Sequence, residues 1–117
     1  MYTGRPYIKL FEDYSCTKEV HVDVFGNYVT TFQIISGISD IDCKRKFYVK
    51  NVGSHKAFNV KIIAMFSDSH VIAEVNYKTI KPNEIAELVL IIPVQKGQNM
   101  TKVLNYTLEY DCLPWVQ

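Results

Sequence analysis

The fold of this chain is decided by the stretch Phe47-Tyr-Val-Lys-Asn-Val-Gly-Ser54 and by its continuation Ala57-Phe-Asn-Val-Lys-Ile62. In both segments apolar and polar residues alternate, so that one face of each is apolar. A period of two residues is typical of a β-strand with one buried face. Gly53 lies between the segments, and we expect it to adopt a backbone conformation that is costly for residues with a Cβ atom. The stretch therefore predicts two strands joined by a tight turn.

Similar alternation recurs along the rest of the chain, with turn residues every 8–14 residues or so. No window shows the 3.6-residue period of a helix. These features predict an all-β fold, an immunoglobulin-like two-sheet antiparallel sandwich of about seven strands. A small barrel is the alternative architecture. The predicted strands are Glu19–Val24, Tyr28–Ile35, Cys43–Asn51, Ala57–Phe66, His70–Tyr77, Ile85–Val94 and Val103–Tyr110.

Residues 1–18 differ in character from the rest, because aromatic and charged residues are mixed there without a regular period. We expect an N-terminal arm, in which only Tyr7–Phe11 could form a short strand. Such an arm is ordered only when something holds it, either its own domain or a neighbouring molecule. The predicted division is an arm at 1–18 and a sandwich at 19–117.

The charge balance excludes one class of partner. Thirteen basic and twelve acidic residues leave a net charge of +1, without the surplus of Lys and Arg that nucleic-acid binding needs. No apolar run approaches the ~20 residues of a membrane span. The first residues lack the apolar stretch of a signal peptide. We therefore expect a chain made in the cytoplasm that binds neither nucleic acid nor membrane.

The residues able to carry chemistry are few and scattered. A nucleophile needs a base within hydrogen-bond reach, and no local pattern links His21, His55 or His70 to a cysteine. The odd number of cysteines predicts free thiols, with one disulfide involving Cys112 as the alternative. Zinc-ligand pairs are absent. A D-x-D pair that could hold calcium occurs at residues 40–42, although such pairs are common in soluble loops. We expect no catalytic residue, metal or cofactor.

Three short motifs occur in the segment 47–94: Asn51-Val-Gly53 after a strand, Ala57-Phe-Asn-Val60 opening the next, and Ile80-Lys-Pro-Asn83 ahead of Leu88. They resemble the asparagine-x-glycine turn, the alanine-x-asparagine-valine entry and the proline-glycine connection of bacterial and archaeal CARDB-type immunoglobulin-like domains. The chain departs from that pattern at Asn83, where the family usually has glycine. The resemblance implies an immunoglobulin-like sandwich, and its motifs are structural.

Apolar residues on outward faces are the most informative feature for function. A sheet with one wet face alternates cleanly between apolar and polar residues, whereas several strands here carry apolar residues on both faces. Contiguous exposed apolar surface marks a protein contact. We therefore predict a protein interface from outward strand residues and arm tyrosines. These residues are Tyr2, Tyr7, Tyr14, Tyr48, Ile63, Met65, Ile72, Val89 and Ile91.

The resulting hypothesis is a structural module rather than an enzyme. We expect a bacteriophage virion protein, either a capsid auxiliary or decoration protein or a tail-associated protein, that binds other structural proteins within a large assembly. Association of identical copies is left open. The alternative is an adhesion or carbohydrate-recognition sandwich at a cell surface, which would use loops such as 36–42, 67–70 and 95–101. Burial of the outward apolar residues by the chain's own ends, or a thiol and an imidazole that meet inside a cleft, would overturn the structural hypothesis.

Overall fold

Seven β-strands form the regular secondary structure of the residues described by the computed structural model, which are 4–35, 37–68, 70–97 and 99–113. Three of the strands have the predicted bounds, and three others are longer than predicted. None of the described segments forms a helix long and apolar enough to cross a lipid bilayer. The strands are β1 (Ile8–Phe11), β2 (Tyr28–Ile35), β3 (Ile41–Asn51), β4 (Ala57–Phe66), β5 (Val71–Ile80), β6 (Ile85–Val94) and β7 (Asn99–Asp111).

The strands form two antiparallel sheets. One has three strands in the order β1-β3-β6, and the other has four in the order β2-β7-β4-β5. The hairpin β4–β5 joins neighbours in sequence, whereas β3 pairs with β6 and β2 pairs with β7 across long stretches of chain. The two sheets pack face to face, which confirms the predicted all-β sandwich.

The core lies between the sheets and is built from alternate residues of each strand. Burial of these aliphatic side chains is the main favourable term in folding. Tyr106 packs edge-on against Phe47 across the core, with ring centroids 5.6 Å apart. Its hydroxyl hydrogen-bonds Thr30, and burial raises the pKa of Tyr106 to about 12. The largest fully buried side chains are Tyr106, Leu10, Ile62, Ile80, Leu88, Leu90, Ile92, Leu104, Val20, Val49, Val60 and Val94.

The predicted strand at 19–24 is wrong. Only isolated bridges occur there, between Phe11 and Glu19 and between Val22 and Tyr28. The Asp23 carboxylate accepts hydrogen bonds from the backbone N–H groups two and four residues ahead, and Gly26 has a φ of 85°. A side chain that bonds its own local backbone competes with strand pairing, and here it turns the chain. The regular alternation therefore ends in a turn.

The segment expected as an arm contributes a strand to the sandwich. Within it, β1 pairs antiparallel with β3, and Leu10 is fully buried. The short apolar alternation of Ile8 and Leu10 is sufficient for this, because β3 offers a complete backbone edge. Ile8–Phe11 therefore belongs to the three-stranded sheet.

Asn51 is the buried polar residue that joins three parts of the fold. Its side-chain oxygen accepts hydrogen bonds from the N–H groups of Gly53 (2.9 Å) and Tyr7 (3.2 Å). Its side-chain nitrogen donates to the carbonyls of His55 (2.7 Å) and Ile80 (2.9 Å). Buried polar groups are destabilising unless they are hydrogen-bonded, and this amide uses both its oxygen and its nitrogen. The motif Asn51-Val-Gly53 therefore links the start of β1, the β3–β4 turn and the end of β5.

Gly53 is required for a reason other than the one expected. Its φ does not lie in the left-handed region, in which Gly26 and Gly97 are found. Instead, a Cβ atom at this position would lie 2.3 Å from the carbonyl oxygen of Arg5 and 2.6 Å from the nitrogen of Tyr7. Glycine thus allows the N-terminal backbone to pass directly over the turn.

Asn83 adopts the left-handed conformation, with a φ of 67°. It is the third residue of the tight turn 81–84, in which Pro82 is the second residue and a hydrogen bond from the N–H of Glu84 to the carbonyl of Lys81 (2.9 Å) closes the turn. Turns of this type require glycine or asparagine at the third position. Position 83, where the motif usually has glycine, is therefore occupied by asparagine, the other residue that tolerates the left-handed conformation.

Replacement of Asn83 with alanine is expected to lower the free energy of unfolding by about 1 kcal/mol, because a Cβ-bearing residue without a short polar side chain is strained at positive φ. Asn83→Gly should change stability by less than about 0.5 kcal/mol. Urea denaturation measures both, with Asn76→Ala on the exposed side of β5 as the control. Equal stability of the alanine and glycine variants would contradict the role of the backbone conformation.

Candidate functional site

The predicted interface residues lie on two opposite faces of the sandwich. Tyr48, Val89 and Ile91 alternate with the buried residues of β3 and β6, and so they point outward from the three-stranded sheet. Ile63 and Met65 alternate with the buried residues of β4, and so they point outward from the four-stranded sheet. The outward orientation of these five side chains is as predicted, but they do not form one surface.

Three other predicted residues have different surroundings. Ile72 packs against the core instead of pointing outward, because the register between β4 and β5 shifts beside Ala64. This irregularity reverses the expected alternation, and Val71 is left 50% exposed. Tyr7 is exposed beneath the ammonium group of Lys9. Tyr2 lies outside the described residues.

The arm covers one end of the outer face of the three-stranded sheet. The ring of Tyr14 contacts the ring of Tyr48 edge-on, with centroids 5.5 Å apart. A turn holds Tyr14 in place, because the Asp13 carboxylate accepts hydrogen bonds from the hydroxyl and N–H of Thr17. The same hydrogen bonds lower the pKa of Asp13. Tyr48 is thus largely covered by the chain itself, whereas Tyr14 is 68% exposed.

Val89 and Ile91 remain uncovered further along the same face, with 44% and 50% of their surfaces exposed. We call these two side chains the β6 patch. Lys46 lies opposite Val89 in the register and Lys44 lies opposite Ile91. Lys46 also forms an ion pair with Glu87 (3.7 Å). The β6 patch is therefore a small apolar surface bordered on one side by ammonium groups.

The free backbone edge of β6 lies beside this patch. Among the strands that the structure describes, only β3 pairs with β6. The Tyr77 hydroxyl donates a hydrogen bond to the Glu87 carbonyl (2.5 Å), so this carbonyl points away from β3. Burial raises the pKa of Tyr77, as does the nearby Glu87 carboxylate, and the phenol keeps its proton for this bond.

The orientation of Glu87 fixes that of the residues after it. In an antiparallel pair, the two main-chain polar groups of one residue point to the paired strand, and those of the next residue point away. Val89, Ile91 and Pro93 lie two, four and six positions after Glu87, and their main-chain groups therefore face the free edge. Val89 and Ile91 thus present both apolar side chains and backbone hydrogen-bonding groups.

On the opposite face, the two predicted residues are less exposed than Val89 and Ile91. Ile63 and Met65 are both half-buried. Ile63 lies between Glu74 and Thr107 in the register, while Met65 lies between Asn105 and the exposed Val71. An ion pair between Lys61 and Glu74 (4.0 Å) lies next to Ile63. The predicted residues of the four-stranded sheet are therefore weaker candidates for a contact.

A groove of about 580 Å³ lies at the end of the sandwich where the N-terminal segment meets the β3–β4 turn. His55 and Cys112 both line it, so the structure brings one imidazole and one thiol to the same place. Among the described residues, the rest of the lining is apolar apart from Ser54 and Lys56.

The three cysteines are unpaired thiols, as predicted. Within the described ranges, no group of three or more His, Cys, Asp or Glu side chains could hold a metal ion. The Asp40 carboxylate, considered as a calcium ligand, accepts a hydrogen bond from the N–H of Lys96 (2.6 Å). This bond ties two loops together and gives Asp40 a structural role.

The loops considered for carbohydrate recognition carry no Trp, Tyr or Phe among their described residues. Two exposed apolar sites lie elsewhere and were missed by the sequence reasoning. Val24 and Phe25 are 93% and 85% exposed in the turn after Asp23, and Ile38 is 92% exposed in the loop before β3. Adjacent apolar residues within a glycine-containing turn were the available signal for the first of these sites.

In comparisons with known proteins, no family model matches this sequence, and no curated protein matches it.

Proposed function

We propose that this chain is a non-enzymatic interaction module that binds neighbouring protein subunits through the β6 patch. The observation that carries the proposal is the exposure of Val89 and Ile91 on a strand whose backbone edge is free. The described part of the arm covers Tyr48 and leaves these two side chains about half exposed. Long edge strands with exposed apolar side chains are sites at which another chain pairs.

The size of the patch indicates what kind of partner fits it. Full burial of a Val or Ile side chain contributes about 1.5–3 kcal/mol, so completing the burial of two half-exposed ones contributes about that much together. Association of two proteins costs roughly 4–15 kcal/mol in lost translational and rotational freedom. The patch alone is therefore insufficient, and the partner must add hydrogen bonds or further contact area. A protein surface supplies both, whereas a small ligand on an open sheet face does not.

The setting that we propose is a bacteriophage virion, in which the module would serve as a capsid auxiliary, decoration or tail-associated protein. This part of the proposal rests on the sequence-based expectation alone. Membership of the CARDB-type domains likewise stays a prediction from the motifs around Asn51 and Pro82. The all-β sandwich is compatible with both, because one fold serves many functions.

The test uses proteins encoded next to the gene for this chain, each purified and titrated with the wild type. We expect one of them to bind, and Val89→Lys together with Ile91→Lys to raise the dissociation constant at least about tenfold. Two buried ammonium groups without partners would oppose the contact. Calorimetric titration measures the affinity.

Val71→Lys is the matched control for this titration. Val71 has the same 50% exposure as Ile91 and lies on the edge strand β5 of the other sheet. Its substitution should leave the affinity unchanged. Equal loss of affinity in both variants would contradict the assignment of the contact to the β6 patch, and no binding to any of these proteins together with no self-association would contradict the proposed function.

A further inference from the structure

We propose that β6 pairs with the β6 strand of a second copy of this chain, antiparallel and about a two-fold axis. The two three-stranded sheets would then form one continuous six-stranded sheet. This inference rests on the proposed function, since it names the partner of the β6 patch as an identical subunit.

The free edge of β6 has main-chain hydrogen-bonding groups that can pair with those of an identical strand. Glu87, Val89 and Ile91 each present an N–H and a carbonyl to the free edge, as the alternation beyond the Tyr77–Glu87 bond requires. Pro93 presents a carbonyl but has no N–H. An antiparallel copy of the same strand offers the complementary groups in reverse order. Two-fold symmetry is the commonest arrangement for identical subunits.

One register satisfies these groups better than its neighbours. When Val89 lies opposite Ile91 of the second copy, these two residues form two hydrogen bonds with each other. The two-fold axis generates the same two bonds between Ile91 and Val89 of the second copy. Glu87 then lies opposite Pro93 of the second copy. The N–H that proline lacks would have bonded the Glu87 carbonyl, and that carbonyl already accepts the Tyr77 hydroxyl (2.5 Å). No edge group in this run is left without a partner.

A shift of the second copy by two residues breaks the match in either direction. In one direction Val89 faces Pro93, and the Val89 carbonyl has no donor. In the other direction Glu87 faces Ile91, which places a carboxylate beside an apolar side chain and offers a second donor to a carbonyl that Tyr77 already occupies. Hydrogen-bond satisfaction therefore selects one register, as it does within sheets.

The side chains agree with this register. Val89 of each copy becomes a direct cross-strand neighbour of Ile91 of the other, so four exposed apolar side chains cover one another. No two like charges lie directly opposite along the paired edges, because Glu87 faces Pro93. The Lys46–Glu87 ion pair (3.7 Å) stays within one copy. The lysines that border the patch remain one strand away from the contact.

Sedimentation over a range of concentrations tests the pairing on the full chain. We expect a reversible dimer in the wild type and a dissociation constant raised at least about 100-fold by Ile91→Pro, because proline removes an edge donor. Proline at 91 removes no bond to β3, and Pro93 already occupies an equivalent position in β6. Ile91→Lys is the second variant should proline disturb folding, and Val71→Lys is the control that should still dimerise.

Amide hydrogen exchange by NMR distinguishes edge pairing from contact through the patch alone. In the dimer, the amides of Val89 and Ile91 should exchange at least about tenfold more slowly than in dilute monomer. The amide of Leu90, bonded to β3, should be protected in both states. A dimer without this change, or a monomer at every concentration, overturns the self-pairing. The titration with neighbouring gene products decides the proposed function separately, since a different protein could still bind Val89 and Ile91.

Discussion

Replacement of Asn51 with alanine is expected to lower the free energy of unfolding by about 3–5 kcal/mol, which is a large share of the stability of a domain of this size. The substitution removes four hydrogen bonds at a residue with no exposed surface. It leaves two backbone N–H groups and two carbonyls without their partner. Each polar group left unsatisfied inside a protein costs about 1–3 kcal/mol, and water reaches some of these groups, which limits the sum.

Two further variants separate hydrogen bonding from the size of the side chain. Asn51→Asp keeps the shape and the acceptor for Tyr7 and Gly53, but it loses both donors and places a carboxylate against the carbonyls of His55 and Ile80. We expect a loss at neutral pH at least as large as that of alanine. Asn76→Ala, on an exposed position of β5, should change stability by less than about 0.5 kcal/mol. Urea denaturation gives all three values, and a small effect at Asn51 would contradict its role.

Replacement of Gly53 with alanine should lower the free energy of unfolding by about 2–4 kcal/mol. The new Cβ would overlap backbone atoms of Arg5 and Tyr7, and backbone cannot move aside as a flexible side chain can. Relief requires the N-terminal segment to lift from the turn. That movement breaks the hydrogen bonds from Val52 N–H to the Tyr7 carbonyl (2.8 Å) and from Ser54 N–H to the Arg5 carbonyl (3.1 Å).

Gly37→Ala is the matched control, because a Cβ there meets no atom within 4 Å and the residue is not in the left-handed region. It should be neutral or slightly stabilising. Denaturation curves give the stability, and amide exchange shows whether Ile8 and Leu10 lose protection in the Gly53 variant. Loss of stability without loss of protection in β1 would mean that the strain is relieved elsewhere.

The strands of this chain could be predicted from sequence because the signal is local. Alternation along Ala57–Phe66 and Ile85–Val94 gave the bounds that the structure has. The same rule failed at 19–24, where the Asp23 side chain bonds its own backbone, and at Ile72, where the register shifts. Both failures depend on hydrogen bonds and pairings that hydropathy does not encode.

The candidate site was predictable only in part. Outward orientation of Val89 and Ile91 followed from the alternation of β6. Their separation from Ile63 and Met65 did not, because the sheet that each strand joins depends on partners distant in sequence. The cover of Tyr14 over Tyr48 is likewise a contact between the arm and β3.

By itself, the sequence determined that the chain is all-β and which side chains of most strands point away from the core, because a period of two residues is a property of each strand alone. Only the tertiary structure decided which exposed residues share a face and which strand edge is free. Those outcomes depend on pairing between remote segments, as the bond from Tyr7 to Asn51 across 44 residues illustrates. The free energy of such pairings depends on the packing of the whole sandwich, and it cannot be predicted from the local pattern of apolar and polar residues.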